Sequence, residues 1–218
     1  MNGQKETISV VVICRNARTF IEKCIESIRS QTLPADEIIV IDGHSTDGTR
    51  EWLQQQPDLH VIMQKGEGIA DARNTGIERS TGDLIAFLDA DDFWPANKLF
   101  VQLMMLQLNP QLEAVTGYLQ KCGEHHTRHL AMTPGGFLFR REVFEYYGSF
   151  RNRWEVACDH EWFLRTNRLH MNTGEVPDVV LYKIMHGNNI SVMRKSLYRS
   201  EMIAILREHH MQKKLSVS

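Results

Sequence analysis

The 218-residue sequence lacks the signatures of several common enzyme classes. No GxGxxG follows its first apolar run, and GxxxxGK[ST], HExxH and GxSxG are all missing. These gaps set aside dinucleotide oxidoreductases, P-loop NTPases, zincins and α/β-hydrolases. Its four cysteines, Cys14, Cys24, Cys122 and Cys158, are scattered, with no CxxC pair and no metal-ligand spacing. Such usage fits reduced thiols in a cytosolic protein. No stretch approaches the ~18 apolar residues of a membrane span, and the first apolar run is too short for a signal peptide. The expectation is a cytoplasmic protein, with the inner face of a membrane still open to it as a resting surface. A formal charge of −2 offers no basic field for nucleic acid.

What is present reads as strands alternating with helices. With 42% hydrophobic residues the chain can bury a core without disulfides. Ile8 to Ile13, Glu37 to Ile41, His60 to Met63 and Leu84 to Leu88 are short apolar runs of the kind covered on both faces. Between them Ile21, Cys24, Ile25 and Ile28 fall at helical spacing, and further helices are expected over 50–56 and 69–79. This alternation predicts an α/β fold with a mainly parallel central sheet flanked by helices, whose ligands bind beyond the carboxyl ends of the strands. Pro95 suits the first turn of the next helix. Further on, strands are expected over 114–119, 136–139 and 179–186 and helices over 141–147, 160–170 and 196–214. The polar, His-rich 122–131 reads as a loop.

Asp42 and the cluster Asp89-Ala90-Asp91-Asp92 end two of the buried strands, so both can face one crevice. Three carboxylates in four residues repel one another, and a hard divalent cation such as Mn²⁺ or Mg²⁺ offsets that charge. The competing reading is an acidic turn capping the next helix. Asp42 suits a base N–H or a ribose hydroxyl, or an Asx turn organising Gly43 to Gly48. Arg73 can grip a phosphate or carboxylate through two donors, or make an ordinary surface salt bridge. Asp159, before the run His160 to Arg165, has N-cap chemistry and equally suits a general base. His186 can contact phosphate or metal, or be structural; His125, His126, His209 and His210 read as solvated.

Taken in order, these motifs resemble the family 2 glycosyltransferases of the GT-A (nucleotide-diphospho-sugar transferase) fold. The landmarks are Ser9 to Ile13 with Asn16, Gln31-Thr32, Ile41-Asp42 with Ser45 to Thr49, Ala72 to Ile77, Thr81-Gly82-Asp83 and Ala86 to Asp92. The resemblance runs from about Ile8 to Ser191. It implies one domain over 1–218: a nucleotide-sugar half over 1–100, an acceptor-side half over 101–192 and a C-terminal helix over 193–218. It also implies that Ile13, Asn16, Asp42, Arg73, Asp89, Ala90 and Asp91 line the donor site. Asp91, Asp89 and His186 would hold Mn²⁺ or Mg²⁺, and Asp159 would be the catalytic base of an inverting transfer to a glycan, lipid-linked or other hydroxyl acceptor. Three departures stand out. Cys158 occupies a position commonly Glu, with Glu161 a nearby substitute; Ile13-Cys14-Arg15-Asn16 lacks the common proline; His44 replaces a usual glycine.

Two other readings remain open at this stage: a sugar-phosphate nucleotidyltransferase, and a non-catalytic partner that keeps the fold. The last helix carries Arg194, Lys195, Arg199, Arg207, Lys213 and Lys214 near an apolar face, suited to an anionic membrane or a lipid-linked acceptor. Glu201 and Glu208 interrupt that face. They favour packing on the core or in a homodimer.

Overall fold

In the computed structural model, residues 5–123, 128–187 and 189–215 are described. The four apolar runs become β1 (Ile8–Cys14), β2 (Glu37–Asp42), β3 (Leu59–Met63) and β4 (Leu84–Asp89). They lie parallel in the order β3-β2-β1-β4. Strand alternation sends Ile8, Val10 and Val12 to one face, against Ile21, Cys24, Ile25 and Ile28 of α1 (Ile21–Arg29). Val11, Ile39, Ile41 and Phe87 go to the opposite face. Both faces are buried because crossover helices cover them, which explains why these strands read as continuous apolar runs. The crossovers are α1, α2 (Thr49–Gln54) and α3 (Gly68–Arg79). α3 sits so close to β1 that a Cβ on Gly76 would lie 2.2 Å from Val11 Cγ1.

The second half makes the sheet mixed. It holds β5 (Asp92–Phe93), α4 (Lys98–Leu108), β6 (Ala114–Lys121), β7 (Arg128–Leu130), β8 (Leu138–Arg140), α5 (Glu142–Tyr146), α6 (Cys158–Arg168), β9 (Thr173–Lys183), α7 (Ile190–Met193) and α8 (Lys195–Leu215). The nine-stranded order is β3-β2-β1-β4-β8-β6-β9-β5, with β7 on β6. The β4–β8, β6–β8, β6–β7 and β5–β9 pairs are antiparallel, while β6–β9 is parallel. The parallel part expected from the alternation is therefore the first half.

Several boundaries differ from the sequence reading for identifiable reasons. The segment read as a loop over 122–131 contains β7, whose exposed Arg128 to Leu130 pair with Tyr118 to Gln120 on an edge. β9 starts six residues before the expected 179, and the register shift opposite Gly117 accommodates Pro177. Pro95 precedes α4, whose cap is Asn97. Its carbonyl instead accepts bonds from Gln31 Nε2 (2.8 Å) and the Lys98 N–H (3.2 Å). His125, His126 and the side chains of Lys213 and Lys214 lie outside the described residues.

A brace built on α4 fixes the turn beside the end of β4. Trp94, Lys98 and Gln102 stand one helical turn apart in sequence. Trp94 Nε1 donates to Gly135 O (2.9 Å), Lys98 Nζ to Phe137 O (2.9 Å) and Gln102 Nε2 to Gly136 O (2.8 Å). Three successive carbonyls of the 3-10 turn Pro134–Gly136 and the next residue are thus satisfied by side chains. Lys98 is fully buried, and burial drives its ammonium pKa far below the ordinary lysine value.

Candidate active site

Parallel pairing puts three strand ends side by side. Ile13 is level with Asp89 and Cys14 with Asp42. The Ala90 N–H donates to Ile13 O (3.1 Å), carrying the ladder one residue past β4. Asp42 is fully buried: its Oδ1 accepts the Ser45 N–H (3.1 Å) and its Oδ2 accepts Arg50 Nε (3.1 Å). Asp42 therefore organises the loop that follows it, through an N–H three residues on rather than the two of an Asx turn. Asn16, in the left-handed region (φ 52°), accepts the Thr46 N–H on Oδ1 (2.8 Å) and donates its own N–H to Ser45 Oγ (2.9 Å). His44 is left-handed too (φ 62°), a conformation that glycine adopts at the least cost.

Arg73 is not a surface residue. Its side chain is almost wholly enclosed, and its guanidinium joins the two halves of the molecule. Nη2 donates to Asp89 Oδ1 (3.0 Å), and Nη1 pairs with Asp159 Oδ1. Burial alone would lower the guanidinium pKa; Asp159 and then Asp89 outweigh it and raise it. Asp159 retains 20% side-chain exposure, so the pair faces a crevice at one edge. Burial pushes the Asp159 carboxyl above its usual range, with the charge of Asp89 adding to the rise and Arg73 opposing it.

Asp159 is not the N-cap of its helix. α6 starts one residue earlier, at Cys158, with Ala157 as cap. The Glu201 carboxylate of α8 accepts the N–H groups of Glu155 (2.8 Å), Val156 (3.0 Å) and Ala157 (2.9 Å), fixing the segment that leads into that first turn. Buried Cys158 points its thiol at Asp159 Oδ1 (3.5 Å), and burial raises the thiol pKa strongly. Glu161 does not take the place of the missing glutamate: it is buried and committed to Arg165 (2.9 Å) and Arg151 (3.1 Å).

The acidic cluster divides by direction. Asp91, 26% exposed, meets His186 Nε2 at 3.1 Å and the Asn189 amide at 3.0 Å, both on its Oδ2. His186 stacks on Phe20 with ring centroids 4.5 Å apart, and its backbone N–H donates to Asn189 Oδ1 (2.6 Å). Phe20 and Asn189 therefore set the imidazole that faces Asp91. His186 lies three residues past the end of β9, in the turn that Asn189 closes. Asp92 points inward. It accepts Lys183 Nζ (3.2 Å) and the Ile184 N–H (3.1 Å), and burial pushes its carboxyl up to about 7 against the pull of Lys183.

The structure thus gathers Asp89, Arg73 and Asp159 in one bridge and Asp91 with His186 in a second contact, with Ile13 and Ala90 between strand ends. Asp42 and Asn16 organise the adjoining loop. The donor chemistry suits a divalent ion: carboxylate oxygen and imidazole nitrogen are both ligands for Mn²⁺. Neighbouring ligands about 2.1 Å from an octahedral ion are about 3 Å apart, which the Asp91–His186 spacing of 3.1 Å matches. Among the described residues no three His, Cys, Asp or Glu side chains form a complete cage.

Residues 9–168 match the family model described as Glycosyl transferase family 2. A relative in Bacillus subtilis named for teichuronic acid biosynthesis, the glycosyltransferase TuaG, is 39% identical over 123 residues, 54% of this chain and 49% of its own. The Escherichia coli UDP-Glc:alpha-D-GlcNAc-diphosphoundecaprenol beta-1,3-glucosyltransferase WfgD is 37% identical over 105 residues, 47% of this chain and 42% of its own. The matched stretch thus spans under half the length of these relatives. In three dimensions the chain is similar to the mannosyltransferase PcManGT from Pyrobaculum calidifontis, solved with GDP-Man and Mn²⁺. That likeness has a TM-score of 0.68 at 24% identity, over 88% of this chain and 61% of that one.

Proposed function

The chain belongs to glycosyl transferase family 2, and from that premise we propose that it transfers a single sugar from a nucleoside-diphosphate sugar to an acceptor hydroxyl, with inversion. The observation that carries this reading is the Arg73 bridge. It holds a carboxylate from the acceptor half, Asp159, within one guanidinium width of the strand-end carboxylate Asp89. A base and an acidic donor site face the same crevice.

In this reading Asp159 accepts the acceptor proton. Its Oδ1 is held by Arg73 and the Cys158 thiol, which leaves Oδ2 to take the proton. The acceptor oxygen forms a bond to the anomeric carbon as the bond from that carbon to the diphosphate oxygen breaks. The leaving nucleoside diphosphate departs with the electron pair. Asp91 and His186, with Asp89 only if it turns from Arg73, would hold Mn²⁺ or Mg²⁺, whose charge supplies electrostatic relief for a diphosphate. Among the described residues two candidate ligands meet here, so the donor phosphates would complete the set. Ile13 and Asn16 would line the floor for the nucleotide, with Ala90 beside them; Asp42, which has no exposed surface, would act from beneath by holding the Ser45 N–H and Arg50. A UDP-linked donor is favoured by the name of WfgD, and a diphospholipid-linked acceptor by the same name.

The reading is tested by calorimetry with nucleoside diphosphates and Mn²⁺ on wild type and Asp91→Asn, followed by product analysis. Metal-dependent binding of one nucleotide, lost in the variant, with release of nucleoside diphosphate on turnover, supports it. Pyrophosphate release would place the chain with the nucleotidyltransferases. Binding without turnover on any acceptor would favour a non-catalytic partner.

A further inference from the structure

We propose that the outward face of α8 is a docking surface for an anionic lipid bilayer. In sequence, Glu201 and Glu208 interrupt the basic face of this helix. In the structure both are committed elsewhere. Glu201 is buried and spends its carboxylate on the N–H groups of Glu155 to Ala157. Glu208 is paired with Arg153. The opposite face carries exposed Lys195, Arg199 and Arg207 interleaved with exposed Ile203 (52%), Leu206 (50%) and Met211 (58%). No acidic side chain of α8 remains there. Apolar side chains set among cations, with one acid buried and the other neutralised by Arg153, make a surface complementary to anionic headgroups over an acyl boundary.

Two other occupants fit less well. The core already has its partners on the inward face, where Tyr198, Met202 and Ile205 join the aromatic cluster around α6. A second copy docked through a two-fold axis on this face would bring the arginines of one copy, Arg199 and Arg207, against those of the other, a like-charge contact with no α8 acid on that face to relieve it. The bilayer also suits the location: the Tyr198 hydroxyl lies 3.2 Å from His160 Nε2, beside Asp159. A docked α8 would therefore hold the first turn of α6 near the lipid surface. The proposal rests on the glycosyltransferase reading only in giving this surface a use, namely reaching a lipid-linked acceptor.

The test is sedimentation of the full chain with vesicles of phosphatidylcholine alone or mixed with phosphatidylglycerol, without donor. Each exposed cation near an anionic surface is worth about a fivefold gain in partitioning, so three predict about a hundredfold preference for the anionic vesicles. That preference should collapse with rising salt and in R199E/R207E. Ile203→Ser with Leu206→Ser should weaken binding at every salt concentration. Equal sedimentation with both vesicles, or with neither, overturns the proposal. So does a dimer in light scattering that the same variants dissolve. UDP calorimetry on each variant is run in parallel: failure of wild type to bind any nucleotide sinks the glycosyltransferase reading, while the vesicle result stands or falls separately.

Discussion

Replacing Arg73 by methionine keeps most of the apolar stem and removes the charge between Asp159 and Asp89. Breaking a buried ion pair by deleting one partner costs about 3–5 kcal/mol, because the remaining charge is left uncompensated. Here the carboxylates keep 20% and 27% side-chain exposure, so water relieves part of the penalty and the low end, about 3 kcal/mol, is expected at pH 8. The deficit should depend on pH. Burial already raises the Asp159 pKa and Arg73 opposes that rise, so the variant raises it further. A carboxyl whose folded-state pKa lies above its unfolded value binds its proton more tightly when folded. Its contribution to stability is fully present below the unfolded pKa, about 3.9, and is lost as pH rises through the folded value. Wild type shares this sign with smaller amplitude. Urea unfolding followed by tryptophan fluorescence across pH 5 to 8 should show a gap between variant and wild type that widens upward, and the acid limb of donor turnover should move to higher pH. Adding Asp159→Asn should restore much of the lost stability while leaving turnover absent. A gap that stays flat with pH, or a second substitution that restores nothing, would refute the account of Arg73 as a charge clamp.

Asp159→Asn alone should lower turnover by about 10²–10⁴-fold with nucleotide affinity unchanged, measured by steady-state kinetics and calorimetry; an active variant removes Asp159 from the role of base. Asn189→Ala, which frees both Asp91 and the turn bearing His186, should weaken Mn²⁺ binding about 10–100-fold in an electron paramagnetic resonance titration, with no acceptor present. Unchanged affinity would show that Asn189 only shapes the turn. Gly76→Ala should cost about 1–3 kcal/mol in thermal unfolding, because the added Cβ meets Val11 Cγ1 at 2.2 Å, and Val11→Ala should relieve it. A stable Gly76→Ala protein on the wild-type background would show that α3 can shift freely on the sheet.

The first half was legible because its signals are local. Apolar runs of strand length, one-faced helices and carboxylates at strand ends are each contained within a few residues, and the topology that joins them follows from right-handed crossovers. The second half depends on pairing between distant segments. Nothing in Arg128 to Leu130 announces a strand until β6 offers its edge, and Pro177 reads as a breaker until the bulge opposite Gly117 is known. Site roles divide in the same way. The positions of Asp42, Asp89 and Asp91 at strand ends could be read directly. That Asp92 turns away to Lys183 could not, since neighbouring residues on an extended chain point to opposite sides and the sequence does not say which side is open. Phe20 and Asn189 were missed altogether: their importance comes from what they touch, His186 and Asp91, and those contacts span more than 70 residues.

The long-range contacts converge on one short stretch, Glu155 to Asp159. Glu201 of α8 holds its amides, and Arg73 of α3 holds the carboxylate at its end. Neither anchor belongs to the element it positions. The carboxylate proposed as base is therefore fixed jointly by a helix of the parallel half and by the last helix, rather than by the packing of α6 alone. This arrangement explains how the first turn of α6 can carry a cysteine at 158 rather than a second carboxylate. A glutamate at 158 would add a buried negative charge beside Asp159 and Asp89, with only one guanidinium to compensate all three. A neutral thiol keeps the charge count at the level Arg73 can serve and still offers Asp159 a hydrogen-bond donor. By the same logic, losing the Glu201 anchor would loosen the segment that leads into Asp159 without touching any residue that faces the crevice.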